Sequence, residues 1–111
     1  MKTAVVINGA TLGAGPDDLG EKLMGSFLRK LWAEAPKPDT IVFYNSGVKL
    51  VAEGSSVLDA LTELAAAGVD LVVCGTCVGY YGLEKMIRMG RVSDMREIVS
   101  IMMHSGKVIG V

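Results

Sequence analysis

The chain has 111 residues, half of them apolar, with mean hydropathy +0.43, eleven basic against twelve acidic side chains and a formal charge of −1 at pH 7. That length without a break in composition suits one core, so residues 1–111 are expected to form a single domain with apolar surface to spare for a homo-oligomer contact. Interleaved, nearly balanced charges offer no footprint for nucleic acid or an anionic membrane, and no stretch approaches the ~20 apolar residues that cross a bilayer.

Thr3 to Asn8 is a short apolar run ended by Gly9, as expected for a strand buried on both faces of a parallel sheet. It lacks the cleavage pattern of a signal peptide, so a cytoplasmic protein is expected. Beyond Gly13, Gly15 and Pro16, Asp17 or Asp18 is placed to cap a helix. Leu19, Leu23, Phe27 and Leu31 recur at helical spacing as far as Ala35-Pro36. Thr40 to Tyr44 reads as a second strand, followed by the turn-prone Asn45-Ser46-Gly47. Ser56 and Asp59 have the spacing of a capping box for a second helix, which Gly68 would stop. Val69 to Val73 is the third strand and delivers Cys74 to its carboxyl end. Two amphipathic segments follow, Leu83 to Met89 and Asp94 to Met103, the latter with Ser93 as its cap. Lys107 to Val111 reads as a last strand. Strands alternating with helices imply βαβ crossovers and an α/β fold, a parallel sheet with helices on both faces. In such sheets reactive groups collect at the carboxyl ends of the strands, here the loops after Asn8, after Tyr44 and at Cys74.

Cys74-Gly75-Thr76-Cys77 is the sharpest feature of the chain. In a reducing compartment a C-x-x-C pair argues for reactive chemistry rather than a structural disulfide. Small residues between the sulfurs leave the Gly75 and Thr76 amides free to favour a thiolate. The competing reading, a small buried hydrophobe at a strand end, fits Cys74 less well than the spacing does. Zinc is not expected, because Cys74, Cys77 and the single His104 fall short of a ligand set even with Asp70 or Glu84 added. The glycine-rich loop from Asn8 to Gly15 lacks the lysine of a phosphate-binding loop, and Asp17-Asp18 would repel an anion there, so tight packing is its expected role. No cofactor is expected.

Asn45, Ser46, Gly47 and Lys49 fit both a pocket wall beside the cysteines and an ordinary turn; with Gly75 and Thr76 they are the candidate substrate-binding residues. Tyr80 and Tyr81 fit both a wall of the site and packing on the sheet. His104 precedes Ser105-Gly106 in an expected loop, away from catalysis. Met86, Met89, Met95, Met102 and Met103 suit core filling or a flexible docking surface, and Trp32 suits an oligomer contact.

These residues resemble the DsrE-like sulfur-relay family, and within it the C-terminal domain of YedF-type selenium-metabolism proteins. The resemblance is carried by Leu12-Gly13-Ala14-Gly15, Leu19 to Met24, Phe43 to Leu50, Glu53-Gly54-Ser55, the Cys74 to Cys77 motif and Tyr81-Gly82-Leu83. It implies an oligomeric, three-layer α/β/α sandwich around a mostly parallel sheet of about five strands. In sulfur-relay relatives the persulfide-bearing cysteine ends a strand eight positions before a glycine, an interval matched by Cys74 and Gly82, so the resemblance makes Cys74 the sulfur carrier. Cys77 belongs to the YedF-like pattern alone. As a second thiolate it would be able to attack a Cys74 persulfide, expelling sulfide and leaving a disulfide. YedF-type proteins also carry a TusA-like domain absent from this sequence, so a separate TusA-like sulfur carrier is an expected partner, with a cysteine desulfurase as a sulfur donor. The expected chemistry is attack of a Cys74 thiolate on a donor persulfide and transfer of the sulfane sulfur, or selenium, to an acceptor thiolate. Two rivals are a dithiol redox protein cycling Cys74 and Cys77, and a non-catalytic oligomeric binding module.

Overall fold

Ala4, Val5, Val6 and Ile7 are almost wholly buried, as are Ile41, Val42 and Phe43 and the run Leu71 to Cys74. Strands this apolar on both faces need helices above and below, which is the architecture of the computed structural model, describing residues 2–111. Its strands are β1 (Thr3–Ile7), β2 (Thr40–Phe43), β3 (Asp70–Cys74), β4 (Arg91–Ser93) and β5 (Lys107–Gly110). They form one sheet in the order β4-β3-β2-β1-β5, and every neighbouring pair is parallel. The helices are α1 (Asp17–Ala33), α2 (Leu58–Ala66), α3 (Gly75–Tyr80) and α4 (Met95–His104), with a 3₁₀ helix over Asn45–Val51. Helices α1 and α2 pack on each other. Helix α4 returns the chain from the β4 edge to the β5 edge, and a right-handed crossover carries it over the opposite face. The result is the expected three-layer α/β/α sandwich with five strands, all of them parallel. Among the described residues no helix is long and apolar enough to cross a membrane.

Several local expectations are corrected. The buried face of α1 is Gly20, Met24, Gly25 and Leu28, whereas Leu19 and Leu23 are 51% and 43% exposed. The rotation follows from close packing: a Cβ on Gly20 would stand 2.6 Å from the Thr11 side chain, and the Gly20 carbonyl accepts from the Leu12 amide at 3.0 Å. Pro16, not an aspartate, occupies the cap of α1; Asp17 and Asp18 lie in its first turn, where negative charge suits the helix dipole. The Ser56–Asp59 capping box does not form. Ser55 Oγ accepts from the Val57 amide at 3.2 Å instead, and the Ser56 hydroxyl donates to Glu21. Gly68, at φ +97°, does stop α2.

Between Gly82 and Gly90, both at positive φ, Leu83 to Met89 is a series of turns rather than a helical segment. Its backbone is satisfied by the 3₁₀ helix and the residues just after it: Glu53 N–H donates to Met86 O and Arg88 N–H to Val51 O, both at 2.8 Å. Strand β4 was not anticipated, since Arg91-Val92-Ser93 is only three residues long and too short to show an alternating pattern. The cap of α4 is Asp94, whose carboxylate accepts from the Glu97 amide at 2.9 Å, not Ser93. Arg91 fixes this edge. Its guanidinium grips both carboxylate oxygens of Asp70 at 2.9 and 3.0 Å and both of Glu97 at 2.6 and 2.7 Å, joining β4 to β3 and α4.

Candidate functional site: a thiol pair at the sheet edge

Because all five strands run the same way, the loops after β1, β2 and β3 meet at one edge of the sheet. The first two are sewn together. Tyr44 N–H donates to Ile7 O at 3.1 Å, and Ala10 N–H to Ser46 Oγ at 3.1 Å. Gly47 lies so close over β1 that a Cβ there would stand 2.5 Å from Ile7 O, so glycine is required for the approach rather than for a substrate. The third loop is α3 itself. Gly75 is pressed against β4, where a Cβ would meet the Ser93 carbonyl at 2.8 Å.

The two cysteines sit differently in this frame. Both are free thiols. Cys74 ends β3 at the cap position of α3, only 1% exposed, and its side chain accepts no capping hydrogen bond. Cys77, one turn further on, is partly exposed and accepts a hydrogen bond from the Asn45 backbone N–H at 3.0 Å. The amide that reaches a sulfur thus comes from the loop after β2, not from Gly75 or Thr76.

Asn45 owes this position to its own side chain. It lies in the left-handed region at φ +53°, which asparagine tolerates better than most residues. Its Oδ1 accepts from Ser46 N–H at 2.9 Å and from the Tyr81 hydroxyl at 3.3 Å. Lys49 Nζ stands 4.4 Å from the centre of the Tyr81 ring, a cation–π contact. Cys77, Asn45, Tyr81 and Lys49 therefore form a connected chain.

Burial, foremost, pushes the Cys77 thiol above its ordinary pKa. The Asn45 N–H pulls it back down, and the neighbouring Cys74 thiol adds to the rise by hydrogen bonding and by charge. Attack by Cys77 is therefore expected to need deprotonation by the incoming group or by solvent base.

Of the candidate substrate-binding residues, Asn45 is brought to a sulfur, and Lys49 is brought to the ring that holds Asn45. The Ser46 hydroxyl is engaged with Ala10, Gly47 and Gly75 serve close packing, and Thr76 is exposed on α3. Tyr81 is part of the site; Tyr80, 85% exposed, stands edge-on to it at 5.2 Å between ring centres. His104 is at the other end of the sheet, in a depression with Lys2, Asp70 and Arg91. Trp32 is exposed near Arg29 and Glu63. Lys49 and Tyr81 also line a cleft of about 500 Å³ whose walls include Thr11, Glu21, Glu53 and Leu83 but neither cysteine. Both glutamates belong to stretches that carry the family resemblance, but no spacing in the sequence ties either of them to the cysteines. Among the described residues, no three His, Cys, Asp or Glu side chains gather as a metal centre would require.

The sequence profile of the DsrE/DsrF-like family matches residues 13–110, nearly the whole chain and all three edge loops except the start of the first. The chain belongs to the DsrE/DsrF-like family. No curated protein matches it. Solved structures agree on the fold of this family member. The YchN protein of E. coli superposes with a TM-score of 0.72 at 20% identity, covering 99% of this chain and 98% of the other. MTH1491 of Methanobacterium thermoautotrophicum, a protein of unknown function, gives 0.73 at 20% identity with the same coverage. BT1422 of Bacteroides thetaiotaomicron, also of unknown function, gives 0.69 at 16% identity, covering 97% and 94%. At these identities the likeness speaks for the fold alone. DsrE/DsrF-like proteins are associated with sulfur relay in general.

Proposed function

We propose that this protein is a sulfur-relay protein of the YedF-like type that holds sulfane sulfur, or selenium, as a persulfide on Cys74 and passes it to an acceptor thiolate. The observation that carries the proposal is the pair of free thiols at the carboxyl edge of the parallel sheet, one of them receiving a backbone N–H at 3.0 Å. A sulfur carrier needs a thiol that can attack a donor, a polar contact that favours the anion, and shelter for the reactive product. Cys77 and Asn45 meet the first two needs, and the burial of Cys74 meets the third. Family membership points the same way. In this reading the protein works as a homo-oligomer in the reducing cytoplasm, receives sulfur from a donor such as a cysteine desulfurase and hands it to a TusA-like carrier.

The test is to incubate the reduced protein with a cysteine desulfurase and cysteine and to read the intact mass together with the mass of the Cys74–Cys77 peptide. A gain of one sulfur atom supports the relay. Loss of two hydrogens without sulfur supports instead a dithiol redox cycle, a second reading favoured by the position of both cysteines in the first turn of α3. An unchanged mass with thiols inert to alkylation removes both.

A further inference from the structure

A carrier thiol that is 1% exposed poses a problem of access. A donor persulfide is itself borne on a protein or small molecule, and its outer sulfur must come into line with the attacking thiolate. Cys74 closes β3 beneath α3, with Gly75 pressed on Ser93 on one side and Val78 buried beyond it. Cys77 lies one helical turn away, partly exposed, at the junction with the loop after β2. Both cysteines belong to the first turn of α3, Cys74 at its cap and Cys77 three residues on, a spacing that places side chains on the same face of a helix.

We infer that the two cysteines act in order: Cys77 receives sulfur from the donor at the surface, and Cys74 then takes it from Cys77 and stores it under α3. This inference rests on the sulfur-relay reading above and reverses the order expected from the sequence, in which the donor meets Cys74 directly. In the first step the Cys77 thiolate attacks the outer sulfur of the donor persulfide. A bond forms between Cys77 Sγ and that sulfur, the donor S–S bond breaks, and the donor leaves as a thiolate that takes up the proton lost from Cys77. In the second step the Cys74 thiolate attacks the same sulfane sulfur. The new bond is to Cys74 Sγ, the bond to Cys77 Sγ breaks, and Cys77 is regenerated as a thiolate. Its proton comes from the Cys74 thiol. No external oxidant or reductant enters, since the sulfane sulfur keeps its oxidation state through both exchanges.

The Asn45 N–H serves both steps, because Cys77 is the nucleophile in the first and the leaving group in the second, and a hydrogen bond to the charged sulfur favours both roles. Asn45 is thus a positioning residue whose backbone, rather than its side chain, touches the reacting atom. The arrangement also gives a reason for Cys77 to be kept within one turn of Cys74. Attack on the outer sulfur passes the cargo inward; attack on the inner sulfur would discard it as sulfide.

The experiment is a rapid-quench time course on the wild-type chain with a cysteine desulfurase and cysteine, capping all thiols and persulfides by alkylation and fragmenting the peptide between Cys74 and Cys77. The extra sulfur is expected on Cys77 at the earliest times and on Cys74 later. Cys77→Ala, checked for folding by its melting curve, is expected to load Cys74 at least about tenfold more slowly. Cys74→Ala is expected to keep its sulfur on Cys77 and to lose it to cyanide at least about tenfold faster than the wild type, shelter being gone. Sulfur found first on Cys74, or found on Cys77 at all times, overturns the ordered transfer while leaving the relay itself standing. Sulfur on neither cysteine at any time overturns the relay reading.

Discussion

The backbone N–H of Asn45 donates to Cys77 Sγ at 3.0 Å, joining the loop after β2 to the helix after β3. The bond depends on Asn45 holding a left-handed conformation at φ +53°, secured by the two hydrogen bonds its Oδ1 accepts. Replacing the side chain therefore tests the backbone. Asn45→Ala removes both acceptor contacts and disfavours the conformation, with an expected loss of about 1–2 kcal/mol in stability. Its Cys77 is expected to alkylate more slowly at neutral pH, by up to about tenfold, because the N–H that favours the thiolate moves away. Asn45→Gly keeps the left-handed conformation and is expected to retain the Cys77 rate. Equal rates in both variants would detach Asn45 from Cys77 reactivity.

Cys74 raises the Cys77 pKa by hydrogen bonding and by charge. Removing it in Cys74→Ala deletes both contributions, so the Cys77 titration is expected to move down toward the ordinary thiol value. The pH profile of iodoacetamide alkylation reads this directly. In the variant the alkaline rise should begin at lower pH than in a Cys74-containing protein, and an unchanged profile would mean that the thiols do not interact.

Two glycines hold the edge together by leaving room for a carbonyl. Alanine at Gly47 would place a Cβ 2.5 Å from Ile7 O, and at Gly75 2.8 Å from Ser93 O; in each case the neighbour is backbone and has little freedom to yield. Gly47→Ala and Gly75→Ala are each expected to lose about 1–3 kcal/mol in urea unfolding. Gly75→Ala should in addition change Cys77 alkylation, because α3 has to shift away from β4. Wild-type stability in both would mean that the loops pack less closely than described.

Arg91 between Asp70 and Glu97 predicts the acid limb of stability. The guanidinium, with help from the Ser93 hydroxyl, holds the Glu97 carboxyl down to about 2 in the folded state, against an ordinary carboxylate value when unfolded. A depressed folded pKa contributes stability that is present above the unfolded value and is lost as pH falls toward about 2. Arg91→Met is expected to flatten the melting temperature against pH in that window and to lower it above the window. An unchanged acid limb would show that the cluster contributes nothing to folding.

The architecture was legible because the three apolar runs ending at Ile7, Phe43 and Cys74 are long enough to show burial on both faces, and because glycines and prolines punctuate the helices. The cysteine motif was legible from spacing alone. What the sequence concealed are relations between backbone atoms. The Asn45 N–H carries no side-chain signature, and its reach to Cys77 arises from a left-handed residue in a 3₁₀ start that reads only as a turn. The buried face of α1 is hidden in the sequence because its leucines dominate the periodicity, although Gly20 is what permits the close approach of the loop after β1. Strand β4 was too short for periodicity, and the segment before it takes its hydrogen bonds from the 3₁₀ helix and its exit rather than from itself. The unequal burial of the two thiols, on which their order depends, is likewise a property of tertiary packing.

The central claim, that the Cys74–Cys77 pair takes up sulfane sulfur, is tested most directly with cysteine labelled in its sulfur atom. The reduced protein is incubated with the labelled cysteine and a cysteine desulfurase, separated from both, and counted before and after treatment with a thiol reductant. The account predicts about one labelled sulfur per chain, released by the reductant and absent from the Cys74→Ala/Cys77→Ala double variant. Protein that emerges unlabelled, or label that persists when both cysteines are gone, would contradict it.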